Sequence, residues 1–378
     1  MRSPDGPPSP AGGRAVPGSQ VLVAVLLAGL VAVVAIGARW ASRTLDVHGH
    51  PYVSLYDPPR TRAEVMLVQG DGQAFGALAQ DPLLSRPGVF SAVAAHERPG
   101  QEAAYRAGRP LFGWLGWAAS LGDPGAVPVA LLVLTGLGAM VLVAGVALAA
   151  AEEGRRADLA ILAVMLPGSV ALFATPGPEP LGTGLALMGI VLWCRERRWP
   201  AVALLTAASL SRETLVLVPL VLGISELLRR RPRPSLLVPP LSVAAWYLVD
   251  RARFGYFPFS AGQGRLAAPW TSLGALSHWG PSDVAFALAG VALLAVGFRR
   301  LPGTYQAVAA AYVALAVVMG PDVWRDWWSF SRPLLPLYAV ALLGCLPHEA
   351  AARTLSPDDR GPLGADGGVV AAGVHERR

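Results

Sequence analysis

The sequence predicts an all-α polytopic membrane protein with about ten transmembrane helices and a large first external loop that contains juxtamembrane helices. Composition is the first reason, because 53% of the 378 residues are hydrophobic and 15% are charged, whereas about a quarter are charged in soluble domains. The second is a series of long uncharged runs. The third is one hydrophilic segment, 39–109, directly after the first run. The bilayer is therefore the expected solvent for most of the chain.

The first apolar run, 21–38, predicts a spanning helix. It carries no charge, and its length suits a hydrocarbon core of roughly 30 Å at about 1.5 Å per helical residue. A cleavable secretory signal is the alternative, because Arg2 and Arg14 precede the run and small residues end it. The run is longer than a usual signal core and lacks a clean cleavage site, which favours a membrane span.

Arginine clusters between the later runs indicate which loops face the cytoplasm, since cytoplasmic loops carry an excess of basic residues. The clusters lie at 155–156, 195–198, 229–233 and 299–300. With all four inside, the predicted domain 20–346 crosses the membrane at 20–38, 126–151, 158–174, 181–194, 199–211, 214–228, 235–249, 283–298, 304–319 and 333–346. Both termini are then cytoplasmic. The tails 1–19 and 347–378 are rich in Gly, Pro, Ser and charge, which predicts disorder.

The segment 199–228 allows two interpretations. It can form one long helix interrupted by Arg212 and Glu213, or two helices joined by a tip at 211–214. A single helix would place the arginines of 229–233 outside, against the positive-inside rule. We therefore predict a hairpin.

This threading gathers the polar loops on the external side, where 39–109, 176–180, 211–214, 251–282 and 321–332 all lie. The cytoplasmic links are short and basic. Because function concentrates in loops held by a rigid scaffold, an active site is expected at the outer membrane surface. A carrier would more often place its ionisable groups near the middle of the bilayer.

Within the first external loop, 70–82 predicts a turn followed by a short helix that ends at Pro82. Phe75, Leu78 and Ala79 share one face, a weak apolar stripe suited to a helix lying on the membrane surface. Asp71 stands at the helix start. It is either a functional carboxylate or only a helix N-cap that complements the helix dipole.

A mixed aromatic run, 111–121, is too short to span and predicts a juxtamembrane helix. Trp114 and Trp117 are expected at interfacial depth. Just before this run, Arg106 and Arg109 have the planar guanidinium groups that bind phosphate well. The alternative is that they only extend toward the headgroups at the interface.

Four short segments precede helices on the predicted external side. They are Asp71-Gly72-Gln73 with the later Asp81-Pro82, Tyr105-Arg106 to Arg109-Pro110-Leu111, Ser211-Arg212-Glu213-Thr214, and Ser331-Arg332-Pro333-Leu334. In this order and on one side, they resemble the multi-spanning C-type glycosyltransferases, which take a sugar from a polyprenyl phosphate and include bacterial relatives of the protein mannosyltransferases. The layout covers 20–346, and the motifs cover about a tenth of it.

The resemblance implies a sugar transferase of the bacterial plasma membrane. Asp71 matches the first-loop acid, which serves as catalytic base or helps to hold a divalent metal. The partners it implies are a polyprenyl-phosphate-linked sugar, such as mannose, another hexose or a pentose, the membrane lipids, and a glycan, lipid or protein acceptor. Glu213 would orient Arg212 or bind a sugar hydroxyl. The resemblance also implies substrate binding by Gln73 and Tyr105. The arginines expected to neutralise the leaving phosphate are Arg106, Arg109, Arg212 and Arg332.

The chain also departs from this pattern. Ala74 stands where relatives commonly have an aromatic residue, and no second acid lies close to Asp71 in the sequence, which leaves a metal ion open. His48 and His50 have no third ligand nearby, so we expect them to face solvent. Trp324, Trp327 and Trp328 either stack on a sugar ring or form an interfacial aromatic belt, the commoner role.

Composition excludes some chemistry, because the chain has neither lysine nor asparagine. Schiff-base catalysis, a phosphate-loop lysine and N-glycosylation are therefore ruled out. The arginines follow the membrane topology, so they do not indicate a nucleic-acid partner. Two functions stay open: a transferase, and a carrier, flippase or non-catalytic assembly factor for lipid-linked sugars.

Overall fold

The computed structural model describes residues 18–42, 55, 59–68, 71–86, 89–90, 99–261 and 266–349. These residues are predominantly helical and contain no β-strand. The helices are α1 (Gly18–Ser42), α2 (Arg62–Val68), α3 (Gly72–Gln80), α4 (Pro99–Ala107), α5 (Pro110–Ala119), α6 (Val127–Glu152), α7 (Pro167–Ala174), α8 (Glu179–Cys194), α9 (Arg198–Ser211), α10 (Leu217–Leu228), α11 (Val238–Phe254), α12 (Pro281–Gly297), α13 (Gly303–Val318), α14 (Trp327–Ser331) and α15 (Leu335–Cys345).

In this part of the chain, three helices are long and apolar enough to cross a membrane. They are α1, α6 and the 20-residue helix Pro281–Arg300, which continues α12 by a turn of 3-10 helix. They coincide with the predicted spans 20–38, 126–151 and 283–298. Helices α8, α13 and α15 are apolar but shorter. The all-helical fold is thus confirmed and contains three candidate membrane spans, and the count of ten crossings stays a prediction.

Helix α1 shows the two faces expected of a helix at the edge of a membrane bundle. Ala24, Ala28 and Ala32 recur every four residues and are buried, on a helix that packs against α6. Larger side chains such as Leu26 and Leu30 are 58% and 59% exposed. Small residues let helices approach closely where lipid supplies no hydrophobic driving force. The exposed leucines therefore form a surface suited to lipid.

Glycines allow α6 and α8 to pack closely against each other. A Cβ added at Gly145 would lie 2.6 Å from the carbonyl oxygen of Gly184, and one added at Gly184 would overlap the backbone of Val141. Neither position has room for a side chain. This pair forms the centre of the bundle, with α9 packed against the other side of α8.

The predicted continuous span over 158–174 is wrong. The chain instead forms a 3-10 helix, Asp158–Met165, followed by α7. Leu166 adopts an extended conformation with ψ of 144°, because it precedes Pro167 and that proline disfavours helical geometry in the residue before it. The segment packs inside the bundle beside α1 and α6.

The predicted break at 211–214 is confirmed, and the two helices that it joins do not pack closely against each other. Helix α9 ends at Ser211, Arg212 is extended, and a 3-10 turn, Glu213–Val216, leads into α10. Helix α9 packs against α8 and α11, whereas α10 packs against α13. The two helices diverge from the break because each buries its apolar face against a different partner.

The buried Arg155 joins three helix ends on the side opposite to that break. Its guanidinium donates hydrogen bonds to the carbonyl oxygens of Gly344 and Leu346 at 3.2 and 2.6 Å and to that of Arg300 at 2.6 Å. Nearby, the backbone of 154–156 pairs with 347–349. These last residues, placed in the predicted disordered tail, are therefore held against the bundle.

We expect Arg155→Ala to lower the free energy of unfolding by about 2–3 kcal/mol, because buried carbonyl groups would lose a charged donor. Arg156→Ala is the matched control. Arg156 is 39% exposed and pairs with Asp158, so its loss is expected to cost much less than the loss of Arg155, because exposed ion pairs contribute little. Unfolding of both variants in detergent micelles measures the difference, and equal losses would contradict the role of Arg155.

Candidate functional site

Helix α3 begins the site and is buried, which corrects the predicted surface helix. Its bounds agree with the predicted helix in 70–82, but every residue from Gly72 to Ala79 is buried. It packs mainly against α5, with the rings of Phe75 and Phe112 in edge contact at 5.2 Å. Gly113 makes this approach possible, because a Cβ there would lie 2.6 Å from Leu78.

The carboxylate of Asp71 does not cap α3. No hydrogen bond joins it to the first turn, so the N-cap alternative is not what the structure shows. Its Oδ1 accepts a hydrogen bond from Arg106 Nη1 at 3.0 Å. Its Oδ2 accepts from Arg109 Nη1 at 3.4 Å and from Arg332 Nη2 at 3.0 Å. Arg332 lies 261 residues further along the chain, so distant segments converge here.

A separate glutamate holds the Nε edge of each of these arginines. Arg106 donates from Nε to Glu102 at 2.8 Å. Arg109 donates from Nε and Nη2 to the two oxygens of Glu213 at 2.8 and 3.0 Å. Such two-point contacts fix the plane of a guanidinium group.

Glu179 is the third of these glutamates and was not among the predicted site residues. It accepts from Arg332 Nε at 2.9 Å and also pairs with Arg212. Its side chain is 0% exposed. In the sequence it lies in a Pro-Gly-Pro-Glu-Pro turn that resembles an ordinary loop. The only signal was an acid at the start of an apolar helix, which more often serves the helix dipole.

These side chains form one charged cluster in which the formal charges cancel. Its arginines are Arg106, Arg109, Arg212 and Arg332, and its acids are Asp71, Glu102, Glu179 and Glu213. Burial alone would raise the pKa of Asp71, but the charges of Arg332, Arg106 and Arg109 outweigh it and hold that pKa well below its usual range. Asp71 is therefore ionised in this arrangement. Its side chain keeps 21% exposure, whereas those of Arg109 and Arg332 are 3% and 9% exposed.

Seven of the eight predicted site residues meet in this cluster. Besides the charged ones, Tyr105 contacts Arg109, whose guanidinium carbon lies 4.7 Å from the centre of the tyrosine ring. Gln73 is the exception. It is buried within α3, and its Oε1 accepts no hydrogen bond from the described residues. His48 and His50 lie outside the described residues.

The residues of the cluster do not fit a divalent metal ion. Both oxygens of Asp71 already accept from guanidinium groups. No group of three or more His, Cys, Asp or Glu side chains suited to a metal occurs among the residues that the structure describes. Four arginines already neutralise the carboxylates of this cluster.

The structure also contains an apolar cavity of about 440 Å³, within the size range of small-molecule sites. Phe330 and Leu334 line it and flank Arg332 in the sequence. Aromatic rings form much of the wall. The rings of Trp279 and Trp324 both stack on the ring of Phe330, with centroid distances of 5.4 and 5.2 Å. Trp324 thus lines this cavity, and its place in an interfacial belt stays a prediction.

Trp114 is also more enclosed than predicted. Its indole N–H donates to the carbonyl oxygen of Pro82 at 2.8 Å, and its ring meets that of Trp246 edge to face at 5.1 Å. Trp117, by contrast, is 48% exposed. Trp114 therefore fixes the loop after α3 to the bundle.

Comparisons with known proteins assign no family to this chain. No protein-family model matches it, and no curated protein matches it.

Proposed function

We propose that this protein is a membrane glycosyltransferase that moves a sugar from a polyprenyl phosphate to a cell-envelope acceptor on the external face. One observation carries the proposal: guanidinium groups from separate parts of the chain converge on a single carboxylate. The bundle also contains an apolar cavity. A lipid phosphate has an anionic group that the guanidinium groups would bind and an apolar chain that the cavity would bind.

Phosphate binding is supported by the choice and orientation of the basic residues. Guanidinium groups bind phosphate oxygens through paired N–H donors. Here Arg106, Arg109 and Arg332 are oriented beforehand by acidic partners. Donors that need not reorganise stabilise the charge that develops on a leaving phosphate.

The cavity would receive the first part of the isoprenoid chain. Its lining is almost entirely apolar and aromatic, and each buried methylene contributes about 0.8 kcal/mol. Phe330 and Leu334, which line the cavity, lie two residues before and two residues after Arg332 in the sequence, so the same segment of the chain would contact both the lipid and its phosphate.

In the proposed reaction an acceptor hydroxyl oxygen forms a bond to the anomeric carbon as the bond from that carbon to the phosphate oxygen breaks. The electron pair stays on the phosphate, which leaves as polyprenyl phosphate. The hydroxyl proton passes to the carboxylate of Asp71, which acts as general base. Attack from the face opposite the phosphate inverts the anomeric configuration, and no covalent enzyme intermediate forms.

A carrier or assembly factor for lipid-linked sugars is the second candidate. The observation that favours it is the burial of the ion pair between Glu179 and Arg212, whose side chains are 0% and 9% exposed. Ionisable groups inside a membrane bundle often mark a transport path. A carrier of this kind binds the lipid-linked sugar without cleaving it.

We expect Asp71→Asn to lower sugar transfer about a hundredfold or more, the size of a lost general base. The assay uses membranes containing equal amounts of wild type or variant and radiolabelled polyprenyl-phosphate sugars. Asp123→Asn is the matched control, because Asp123 is an exposed acid that only accepts a hydrogen bond from the backbone of Gly125. Sugar transfer that survives Asp71→Asn would show that Asp71 is not the general base. No transfer by the wild type would favour the carrier function.

A further inference from the structure

The three arginines around Asp71 share one geometry. Each is held along its Nε edge by its own glutamate and directs one Nη group at the same aspartate. The glutamates therefore set the positions of the donors, while the aspartate occupies the point on which the donors converge.

We propose that the Asp71 carboxylate occupies the place of the ligand phosphate and is displaced when the phosphate binds. This inference rests on the proposed function, because it makes the bound group the phosphate of a prenyl lipid. It assigns Glu102, Glu179 and Glu213 as positioning residues that keep Arg106, Arg332 and Arg109 in place during the exchange.

Exposure indicates which acid leaves. The side chain of Asp71 is 21% exposed, so its carboxylate can turn toward water, whereas Glu179 is 0% exposed and has no such path. Glu213 is more exposed, at 32%, but its two oxygens form a two-point contact with Arg109. Asp71 instead shares its two oxygens among three guanidinium groups. Glu102 is exposed to a similar degree, at 19%, but contacts Arg106 alone, so only Asp71 occupies the point that all three arginines reach.

The number of oxygens that the bound group offers to the arginines explains how the exchange would favour the reaction. A carboxylate has two oxygens, and so does the non-bridging part of a sugar phosphodiester. The leaving prenyl monoester has three terminal oxygens, which equals the number of Nη groups directed at this point. The site therefore favours the phosphate more as the sugar departs, and interactions that strengthen toward the transition state raise the rate.

The exchange also prepares the base. While the arginines contact Asp71 they hold its pKa well below its usual range, and a carboxylate in that state is a weak proton acceptor. A phosphate that takes over the arginines returns the pKa of Asp71 toward its usual range. Asp71 thus becomes a competent base only after the donor has bound.

The test is the affinity of the full-length purified protein for farnesyl monophosphate, measured by calorimetry in detergent micelles. We expect Asp71→Asn to bind about tenfold more tightly than the wild type or better, equivalent to about 1.4 kcal/mol, because the internal competitor is neutral. Asp123→Asn should equal the wild type. Inorganic phosphate forms a parallel arm: an equal gain would identify the phosphate group alone as the ligand, and a gain only for the prenyl ester would identify a lipid phosphate.

Equal or weaker binding of both probes by Asp71→Asn would overturn the exchange, as would an equal gain in Asp123→Asn. Binding requires no sugar transfer, so this result stands apart from failure of the proposed reaction. If the variant does not fold, a structure of the wild type with farnesyl monophosphate decides. Phosphate on Arg332 with Asp71 turned away supports exchange, and Asp71 still on the arginines overturns it.

Discussion

We expect Glu179→Gln to lower the free energy of unfolding by about 3–5 kcal/mol, the cost of removing one partner from a buried ion pair. Glu179 is fully buried and neutralises both Arg212 and Arg332. Glutamine has a similar shape, but it would leave excess positive charge inside the bundle. Sugar transfer should fall as well, because Arg332 would lose the contact that orients it toward Asp71.

Glu226→Gln is the matched control for this variant. Glu226 also faces two arginines, but Arg229 and Arg233 are 66% and 45% exposed and lie 3.7 and 3.8 Å away. Glu226 itself is 10% exposed, but both of its partners reach solvent, and pairs with exposed partners contribute less than about 1 kcal/mol. Unfolding in detergent micelles measures both variants. A second variant that combines Glu179→Gln with Arg212→Gln should recover part of the loss, and equal losses for both glutamates would refute the buried pair.

The second large effect is expected for Gly184→Ala, which should destabilise the protein by about 3 kcal/mol or more. The new methyl group would overlap the backbone of Val141 in α6. Backbone atoms cannot rotate away as a side chain can, so α6 and α8 would have to separate. Overpacking of a tight interior costs about 1–3 kcal/mol even where side chains can adjust.

Gly37→Ala tests whether the effect belongs to packing rather than to helix propensity. Gly37 lies within α1, and a Cβ there would have nothing within 4 Å. Alanine is the better helix former by about 1 kcal/mol, so this variant should be neutral or slightly stabilised. A loss of folded protein for Gly37→Ala equal to that for Gly184→Ala would show that glycine content alone matters.

Much of the site could be predicted because its residues carry strong local signals. The Gly-Asp-Gly turn before a short apolar run predicted α3, and charges within an apolar stretch predicted the break at Arg212. The family resemblance, which rests on the order of these motifs, also placed Arg332 among the expected substrate-binding residues. These residues could then meet if the loops predicted on the external side lie close together in the fold.

The remainder depends on tertiary packing. The burial of α3 could not be predicted, because its stripe of Phe75, Leu78 and Ala79 is equally suited to lipid and to a protein core. Glu179 was missed for a related reason. An acid after Pro178 at a helix start is common, and only the folded bundle shows that Arg212 and Arg332 reach it.

The measurement that tests the central claim most directly is sugar transfer by the purified protein in lipid nanodiscs, with labelled polyprenyl-phosphate hexoses and pentoses and a cell-envelope extract as acceptor. The account predicts release of polyprenyl phosphate in equal amount to the product, an inverted anomeric configuration, and a loss of about a hundredfold or more in Arg332→Gln. Full activity of Arg332→Gln, or no release of polyprenyl phosphate by the wild type from any donor, would contradict it.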